Sequence, residues 1–366
     1  MARPPRKKID DVNSPDRPAG QGTAATTPGA DHQRLQMADV ARLAGVSVAT
    51  VSRALNGSTE VSLATRERIG ELARSLNYSI NVSAKNLRLG QNRTVAVVIP
   101  FDAQSRQHVS DPFFLAMLGS LADALTERGY DMLVSRVDAE NLEAAAQAYD
   151  SGVAIGVILI GQWRHHDHLN RLAARRVPIV VWGAQLPQQL YCSVGGDNLA
   201  GGLAATTHLL GHGCRRIVFL GDPELPEVTL RHQGYLQALA EAGQTPDPKL
   251  LLAVPFEASQ ARAAITGLVE AGVEFDAVFA CSDVLAMVSV QTLRALGRSV
   301  PAQVSVVGYD DVEWASHADP PLTTVRQPIA AAGIEIVDAL LETMGGKQVP
   351  ARTLPIELVV RASSRA

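Results

Sequence analysis

The stretch from Met37 to Gly90 reads MADVARLAGVSVATVSRALNGSTEVSLATRERIGELARSLNYSINVSAKNLRLG, and it decides how the N-terminal part of the chain folds. Apolar residues recur at helical spacing over residues 37–44 and again over residues 48–55. Gly45, between these segments, permits a tight turn, and Ser47 can cap the second helix. A third helical pattern follows. The sequence therefore predicts a compact three-helix module whose second helix stands clear of the others.

Beyond Thr94 the period changes, and strand-like segments alternate with helical ones. The first series contains the strand patterns TVAVVIP, YDMLVSRV, IGVILIG and PIVVWG, and the second contains RRIVFLG, LLLAVPF, AVFACSD and VSVVGYD. Such alternation predicts an α/β fold with parallel sheets covered by helices on both faces. Two series predict two lobes, with a ligand cleft beyond the carboxyl ends of their strands.

Composition bounds the class of protein. The chain has 366 residues, of which 46% are hydrophobic and 19% are charged, which suits a globular protein of two or three domains. Its apolar runs are far shorter than the roughly 18 residues of a membrane span, so we expect no membrane partner. The basic N-terminus lacks the apolar centre of a signal peptide, which predicts a cytoplasmic location.

Charge is distributed unevenly along the chain. Residues 32–93 hold nine basic and four acidic residues, whereas residues 94–366 hold nineteen basic and twenty-nine acidic residues. A basic module ahead of an acidic body indicates that the first part meets a polyanion. The alternative is simply an uneven surface. Residues 1–33 are rich in Pro, Gly, Thr and Asp and show no apolar period, which predicts a disordered leader.

The stretch from Met37 to Gly90 closely resembles the DNA-binding domain and hinge of the lactose and galactose repressor family, in all three helices and the hinge together. The remaining chain, to about Arg361, resembles the effector core of that family, a two-lobed fold similar to periplasmic sugar-binding proteins. Its anchors include DPFF at 111–114, SVGGDNLAGG and VSVVGYDD. The resemblance implies a sequence-specific transcriptional repressor controlled by a small-molecule effector.

The resemblance also implies the domain boundaries. It places a helix-turn-helix domain at residues 34–78, a hinge at 79–93, and a two-lobed effector-binding and dimerisation domain at 94–366. A single helix-turn-helix reads too few bases for specificity, so we expect a homodimer on a palindromic double-stranded operator. The tail from Arg361 to Ala366 is too short for the family's leucine-rich tetramerising extension.

DNA contacts are implied on the recognition helix and the hinge. Val48 and Ala49 hold the base-reading positions, and such small apolar side chains can contact only thymine methyl groups or fit sterically. Arg53 resembles the arginine that reads guanine; the alternative is a phosphate contact. Leu87 holds the minor-groove wedge position, or else packs against its own domain. The other candidates are small or polar: Ser47, Thr50, Ser52, Asn56, Asn81, Ser83, Ala84 and Arg88.

Effector contacts are implied in the large domain. Arg231 matches an arginine that grips effector hydroxyls, Asp310 matches a carboxylate at the cleft, and Ser282 stands where relatives commonly have asparagine. The remaining candidates lie in a turn or at aromatic positions: Asp111, Phe114, Trp182 and Phe256. Carboxylates and arginine suit paired hydroxyls, and aromatic faces suit a pyranose ring. The alternatives are a turn carboxylate for Asp310 and plain core for the aromatic residues.

The finer resemblance is to regulators of α-glucoside or maltose-type sugar use, with a purine or another non-sugar effector as the alternative. Two other classes of protein compete with a repressor. A sugar-binding transport protein is disfavoured by the basic module, and an enzyme is disfavoured because nucleotide-binding and nucleophile motifs are missing from the sequence. We therefore expect no catalytic residues and no cofactor.

A metal site is also not expected. His165, His166 and His168 lie in the run RHHDH, but adjacent histidines cannot converge on one ion without distant partners. The three cysteines, Cys192, Cys214 and Cys281, lack metal-ligand spacing. The sequence therefore favours a loop at the mouth of the cleft for the histidine run.

Overall fold

The structure is a computed structural model that describes residues 36–55, 58–76, 92–102 and 108–365. The chain separates into two compact units, one ending at Asn81 and the other beginning at Val82. The leader expected at residues 1–33 and most of the hinge expected at 79–93 lie outside the described residues. Within the described residues, no helix has the length and apolar character needed to cross a membrane.

The first unit contains three helices, α1 (Met37–Ala44), α2 (Val48–Leu55) and α3 (Leu63–Ser75). Gly45 ends α1 in the left-handed conformation, with φ of 67°, which glycine adopts without strain. Ser47 caps α2, because its Oγ accepts the Thr50 amide hydrogen at 3.1 Å. Both features confirm the predicted turn and cap.

A small apolar core holds the three helices together. Val40, Val51 and Ile69, one from each helix, have no solvent exposure. Their burial is the main apolar contribution to a unit this small. Since these side chains use the inward face of α2, its opposite face remains free to contact a ligand.

The second unit is built on two six-stranded sheets, one per lobe. The N-terminal lobe has the strand order β11-β5-β4-β3-β1-β2, and the C-terminal lobe has β12-β10-β9-β8-β6-β7. Pairing is parallel except between β10 and the edge strand β12. The strands are β1 (Thr94–Phe101), β2 (Asp131–Asp138), β3 (Gly156–Ile160), β4 (Ile179–Trp182), β5 (Cys192–Gly196), β6 (Ile217–Leu220), β7 (Leu251–Leu252), β8 (Ala277–Ala280), β9 (Ser305–Asp310), β10 (Thr323–Arg326), β11 (Arg352–Leu354) and β12 (Glu357–Val359).

Helices cover both faces of each sheet, as expected for this alternation. They are α4 (Pro112–Glu127), α5 (Gln147–Asp150), α6 (His166–Ala174), α7 (Asn198–Gly211), α8 (Pro226–Glu241), α9 (Ala258–Glu270), α10 (Asp283–Ala295), α11 (Glu313–His317) and α12 (Ile329–Met344), with 3-10 turns at Ala139–Ala146 and Pro248–Leu250.

Two local elements differ from the pattern-based prediction. Between β2 and β3, where the alternation of strands and helices predicts a helix, the chain instead forms the 3-10 segment Ala139–Ala146, in which Asn141 has non-helical φ and ψ of −137° and 62°. The strand expected over LLLAVPF is reduced to Leu251–Leu252. It lies at the sheet edge and pairs with β6 alone, so a longer strand gains little.

The chain passes between the lobes three times, and these crossovers lie side by side. They run from β5 to α7, from β10 to α12, and from β11 to β12. The Asp197 amide of the first donates to the Leu354 carbonyl of the third, at 3.0 Å. Gln327 belongs to the second. The carboxyl ends of the strands therefore face a cleft with the crossovers nearby.

Candidate functional site

A cavity of about 710 Å³, counted up to its open mouth, lies between the two lobes of the second unit. Every effector contact expected from the sequence lines it, namely Asp111, Phe114, Trp182, Arg231, Phe256, Ser282 and Asp310. Residues from distant parts of the chain therefore share one concave surface.

Arg231 is the buried cation of the cavity. It projects from α8 and is 5% exposed. Its Nε donates to Asn198 Oδ1 at 2.8 Å, and its Nη1 donates to the Cys281 carbonyl at 2.6 Å. Because α7 and α8 pack closely at Gly202, where a Cβ would lie 2.0 Å from the Arg231 carbonyl oxygen, this orientation is fixed by the backbone.

Asp310 is a buried carboxylate at the end of β9. Its backbone has φ of 114°, and Gln327 Nε2 donates to its Oδ1 at 2.8 Å. Burial raises the pKa of Asp310 to about 7, although Arg231 and the Gln327 hydrogen bond oppose the rise. The carboxyl caps no described helix, which argues against a purely capping role.

The left-handed turn continues at Asp311, with φ of 55°. Its carboxylate accepts hydrogen bonds from Arg326 Nε at 2.7 Å and from Arg361 Nη2 at 2.6 Å. These charge-assisted bonds hold a conformation that non-glycine residues rarely adopt. The turn therefore presents Asp310 to the cavity in a fixed position.

Two polar residues of the cavity wall also cap helices. Asp111 Oδ1 accepts the Phe113 amide hydrogen at 2.9 Å at the start of α4. Ser282 Oγ accepts the Leu285 amide hydrogen at 3.2 Å at the start of α10. Capping fixes both side chains, so each presents its oxygen to the cavity without further ordering.

The aromatic residues expected at the site differ in their surroundings. Phe114 and Trp182 are largely buried in the core of the N-terminal lobe, and Phe256 packs against the core of the C-terminal lobe. Phe113 is more exposed, packs against both lobes, and its ring centroid lies 6.2 Å from that of Trp182. A ligand would therefore meet Phe113 as well as Phe114.

Sequence reasoning missed several residues of the wall. Glu227 lies one helical turn before Arg231 on α8, a spacing that could have identified it. Burial raises the pKa of Glu227. Trp163 lines the cavity with a positive φ of 52°, and its buried Nε1 has no hydrogen-bond partner among the described residues. No local sequence pattern marks Gln327, because it reaches the cavity only through the crossover from β10 to α12.

An ion pair spans the cleft mouth. Arg164, which follows β3 in the N-terminal lobe, pairs with Asp222, which follows β6 in the C-terminal lobe. Its Nε also lies 3.1 Å from Glu224 Oε2. The lobes are thus tied by charge at the same end of the sheets where the cavity opens.

The first unit presents a second candidate surface on α2. Val48, Ala49 and Arg53 are exposed, as is Ser47 before the helix, whereas Thr50 and Ser52 are half-buried. Arg53 Nε lies 3.2 Å from Glu60 Oε2. The other DNA-contact candidates lie outside the described residues: Asn56, Asn81, Ser83, Ala84, Leu87 and Arg88.

Two regions of the chain match known protein families. Residues 36–81 match the family described as bacterial regulatory proteins, lacI family, and residues 206–364 match the periplasmic binding protein-like domain. The transcriptional regulator CelR of Thermobifida fusca is 36% identical over 330 residues, covering 88% of this chain and 94% of that protein. The chain belongs to the LacI family of transcriptional regulators.

Other relatives extend this result. The transcriptional repressor CytR of Escherichia coli (strain K12) is 31% identical over 335 residues, covering 90% of this chain and 96% of that protein. The Lac repressor dimer bound to operator and the anti-inducer ONPF matches with a TM-score of 0.75 and 25% identity, covering 91% of this chain and all of that chain.

A complex of CelR with cellobiose matches this LacI-family chain with a TM-score of 0.66 and 33% identity, covering 90% of this chain and 100% of that chain. These proteins are transcriptional regulators and not enzymes. They confirm the prediction that this chain is a regulator rather than an enzyme. The predicted fold, a helix-turn-helix region ahead of a two-lobed core with parallel sheets, is also confirmed. The chain is a DNA-binding transcriptional repressor of this family.

Proposed function

We propose that this repressor binds a glucoside sugar in the interlobe cavity and that the sugar controls its binding to a palindromic operator. The observation that carries the proposal is the lining of the cavity, which combines one buried arginine, Arg231, with the carboxyl groups of Asp111, Glu227 and Asp310. Carboxylate oxygens accept hydrogen bonds from sugar hydroxyls. A guanidinium donates hydrogen bonds to the hydroxyl oxygens in a fixed geometry.

Aromatic faces complete the proposed sugar site. Phe113, Trp163 and Phe256 are the partly exposed rings of the wall, and they offer apolar surface to the C–H face of a pyranose. The CelR structure holds cellobiose, a glucose disaccharide, whereas the sequence resemblance favours α-glucosides such as maltose. Both sugars are therefore candidates, and a purine remains the alternative of another class.

We propose that the DNA contacts are made by the residues that the family resemblance indicates. The exposed side chains of Val48, Ala49 and Arg53 read base edges, while Ser47, Thr50 and Ser52 contact phosphates. The helix-turn-helix domain spans residues 34–78, the hinge spans 79–93, and the effector domain spans 94–366. Leu87 of the hinge is the proposed minor-groove wedge.

We also propose a homodimer formed through the N-terminal lobe. Strand β2 lies at the edge of its sheet and exposes Leu133 (36%) and Val134 (41%). Leu115 on the neighbouring helix α4 is 55% exposed. An apolar edge strand is an aggregation hazard unless another surface covers it. A second copy would cover it and would hold two recognition helices on adjacent half-sites.

The experiment uses the full-length protein and DNA from the region upstream of its own gene. Calorimetric titration with cellobiose, maltose and adenosine identifies the ligand class, and gel-shift titration with and without each compound measures its effect on operator binding. We expect one of the two sugars to bind and to change operator affinity. Binding of adenosine alone, or of none of the three, would contradict the glucoside proposal.

A further inference from the structure

Two histidines and an aspartate converge at the start of α6. The rings of His165 and His168 stack, with centroids 5.0 Å apart and planes inclined by 17°. One ligand atom from each of His165, Asp167 and His168 lies within 4.8 Å of the others. The spacing of three residues brings both rings to one side of the first helical turn, whereas immediate neighbours diverge.

A carboxylate from a distant part of the chain contacts this cluster. Glu140, on the 3-10 segment 25 residues earlier, places Oε2 at 3.1 Å from His165 Nε2. The intervening His166 turns elsewhere, since its Nδ1 lies 3.4 Å from the Tyr191 hydroxyl. The sequence argument against a metal site was that adjacent histidines lack a distant partner. In the folded chain Glu140 is that partner, and two non-adjacent histidines converge.

His168 gives an independent indication. Its Nδ1 is buried and has no hydrogen-bond partner among the described residues. A buried ring nitrogen without a partner is destabilising, and neutral imidazole is among the commonest ligands of transition-metal ions. Within the described part of the chain, the imidazole of His168 is therefore incompletely satisfied.

We propose that His165, Asp167 and His168 form a site for a divalent transition-metal ion of the Zn²⁺ class, with the Glu140 carboxylate orienting the His165 ring. Two imidazoles with carboxylates suit Zn²⁺ and Co²⁺ rather than the oxygen-seeking Mg²⁺ or Ca²⁺. Ligands about 2.0–2.2 Å from one ion lie closer together than the atoms of this cluster, so modest side-chain rotation accompanies binding.

The ion competes with Arg171, whose Nη1 lies 2.7 Å from Asp167 Oδ2. Arg171 also pairs with Glu143 at 2.6 Å, so the arginine keeps a carboxylate partner when the ion takes Asp167. The segment that leads into this cluster carries Trp163, which lines the effector cavity. An ion held here therefore fixes one wall of that cavity to the 3-10 segment.

The test is metal titration of the full-length protein without sugar or DNA. Co²⁺ binding is followed by visible absorbance, Zn²⁺ binding by calorimetry, and the effect of Zn²⁺ on thermal unfolding by circular dichroism. The variants are His168→Ala and Glu140→Gln, with His166→Ala as the matched control from the same run. We expect His168→Ala to weaken binding by at least about tenfold and Glu140→Gln to weaken it less. His166→Ala should bind as the wild type does.

Three results would overturn the proposal: no Co²⁺ spectrum in the wild-type protein, unchanged binding in His168→Ala, or equal loss in His166→Ala. Binding at another histidine pair, such as His208 and His212 with ring centroids 4.5 Å apart, would persist in His168→Ala and counts against the proposal. If His168→Ala fails to bind operator DNA, His165→Ala replaces it, because the His165 side chain is 32% exposed.

Discussion

The guanidinium of Arg231 lies over the ring of Tyr309, with its central carbon 3.6 Å from the ring centroid. Tyr309 is fully buried, and its hydroxyl donates to Asn198 Oδ1 at 3.3 Å, the same oxygen that accepts from Arg231 Nε. One asparagine and one tyrosine thus orient the arginine from below. The cation is fixed before any ligand arrives, which lowers the entropic cost of binding.

Arg231→Lys should weaken sugar binding by about 10- to 100-fold, because a lysine cannot reproduce the fixed donor geometry. Lysine keeps the positive charge beside Asp310 and Glu227, whereas Arg231→Ala would leave those buried carboxyls without their cation. Operator affinity without sugar should stay close to that of the wild type. Calorimetry and gel-shift titration measure the two quantities.

The control is Arg262→Lys, on the exposed face of α9. It should alter neither sugar nor operator binding. Sugar binding and response that are unchanged in Arg231→Lys would remove Arg231 from the proposed effector site.

The family resemblance predicted Arg231 and Asp310 as effector contacts, since each lies in a stretch that matches the family's effector core, RHQGY at 231–235 and VSVVGYDD at 304–311. The sequence could not predict Gln327, whose contact with Asp310 depends on a crossover between lobes. Strands β11 and β12 were missed for a related reason. Each has three residues and is defined by a partner far away in the chain, so no local period marks it.

Asp310 should make stability depend on pH. Its pKa is about 7 in the folded protein, above its ordinary value of 3.8, mainly because of burial. Between these values the folded state retains a proton that the unfolded state has lost, so the free energy of unfolding falls as pH rises. Asp310→Asn should reduce this decline between about pH 4 and 7. Denaturant unfolding at several pH values measures it.

Part of the slope should remain in Asp310→Asn, because burial also raises the pKa values of Asp283 and Glu227. Asp319→Asn gives a control of opposite sign. Arg294 lowers the pKa of Asp319, so the contribution of Asp319 to the free energy of unfolding disappears as pH falls. A slope in Asp310→Asn identical to that of the wild type would show that Asp310 is ionised throughout this pH range.

Arg164→Gln should weaken sugar binding by about two- to fivefold, because it removes the charge that ties Arg164 to Asp222 and Glu224 across the cleft mouth. The effect is modest, since the pair is partly exposed and screened by salt. Raising the salt concentration should narrow the difference between the variant and the wild type. Calorimetric titration at two ionic strengths measures both effects.

The matched control is Arg294→Gln, which removes an ion pair with Asp319 within the C-terminal lobe. It should leave sugar affinity unchanged. Equal losses in Arg164→Gln and Arg294→Gln would mean that net charge, and not the bridge between lobes, is responsible.

Arg53→Ala should relax operator sequence preference at one base position, at a cost of about 1–3 kcal/mol. In the free protein Arg53 pairs with Glu60, and both side chains are exposed. The pair therefore costs little to break when the arginine turns toward a base. Gel-shift titration against a set of single-base operator variants measures the preference.

Arg68→Ala, on the exposed surface of α3, is the control and should leave the preference intact. An equal loss of affinity for every DNA sequence in Arg53→Ala would identify a phosphate contact instead of base reading.

Leu133→Asp on β2 should convert the proposed homodimer to monomers, because a charge placed at the centre of an apolar interface is left desolvated and unpaired. Val153→Asp is the matched control: Val153 is 50% exposed against 36% for Leu133, but it lies between α5 and β3, away from strand β2. Sedimentation velocity at several protein concentrations measures the state of assembly.

Dimer dissociation in Leu133→Asp should be accompanied by weaker operator binding, since two linked half-site contacts become independent ones. If both variants sediment as the wild type does, strand β2 does not form the interface; if the wild type is already a monomer with full operator affinity, the homodimer itself is wrong.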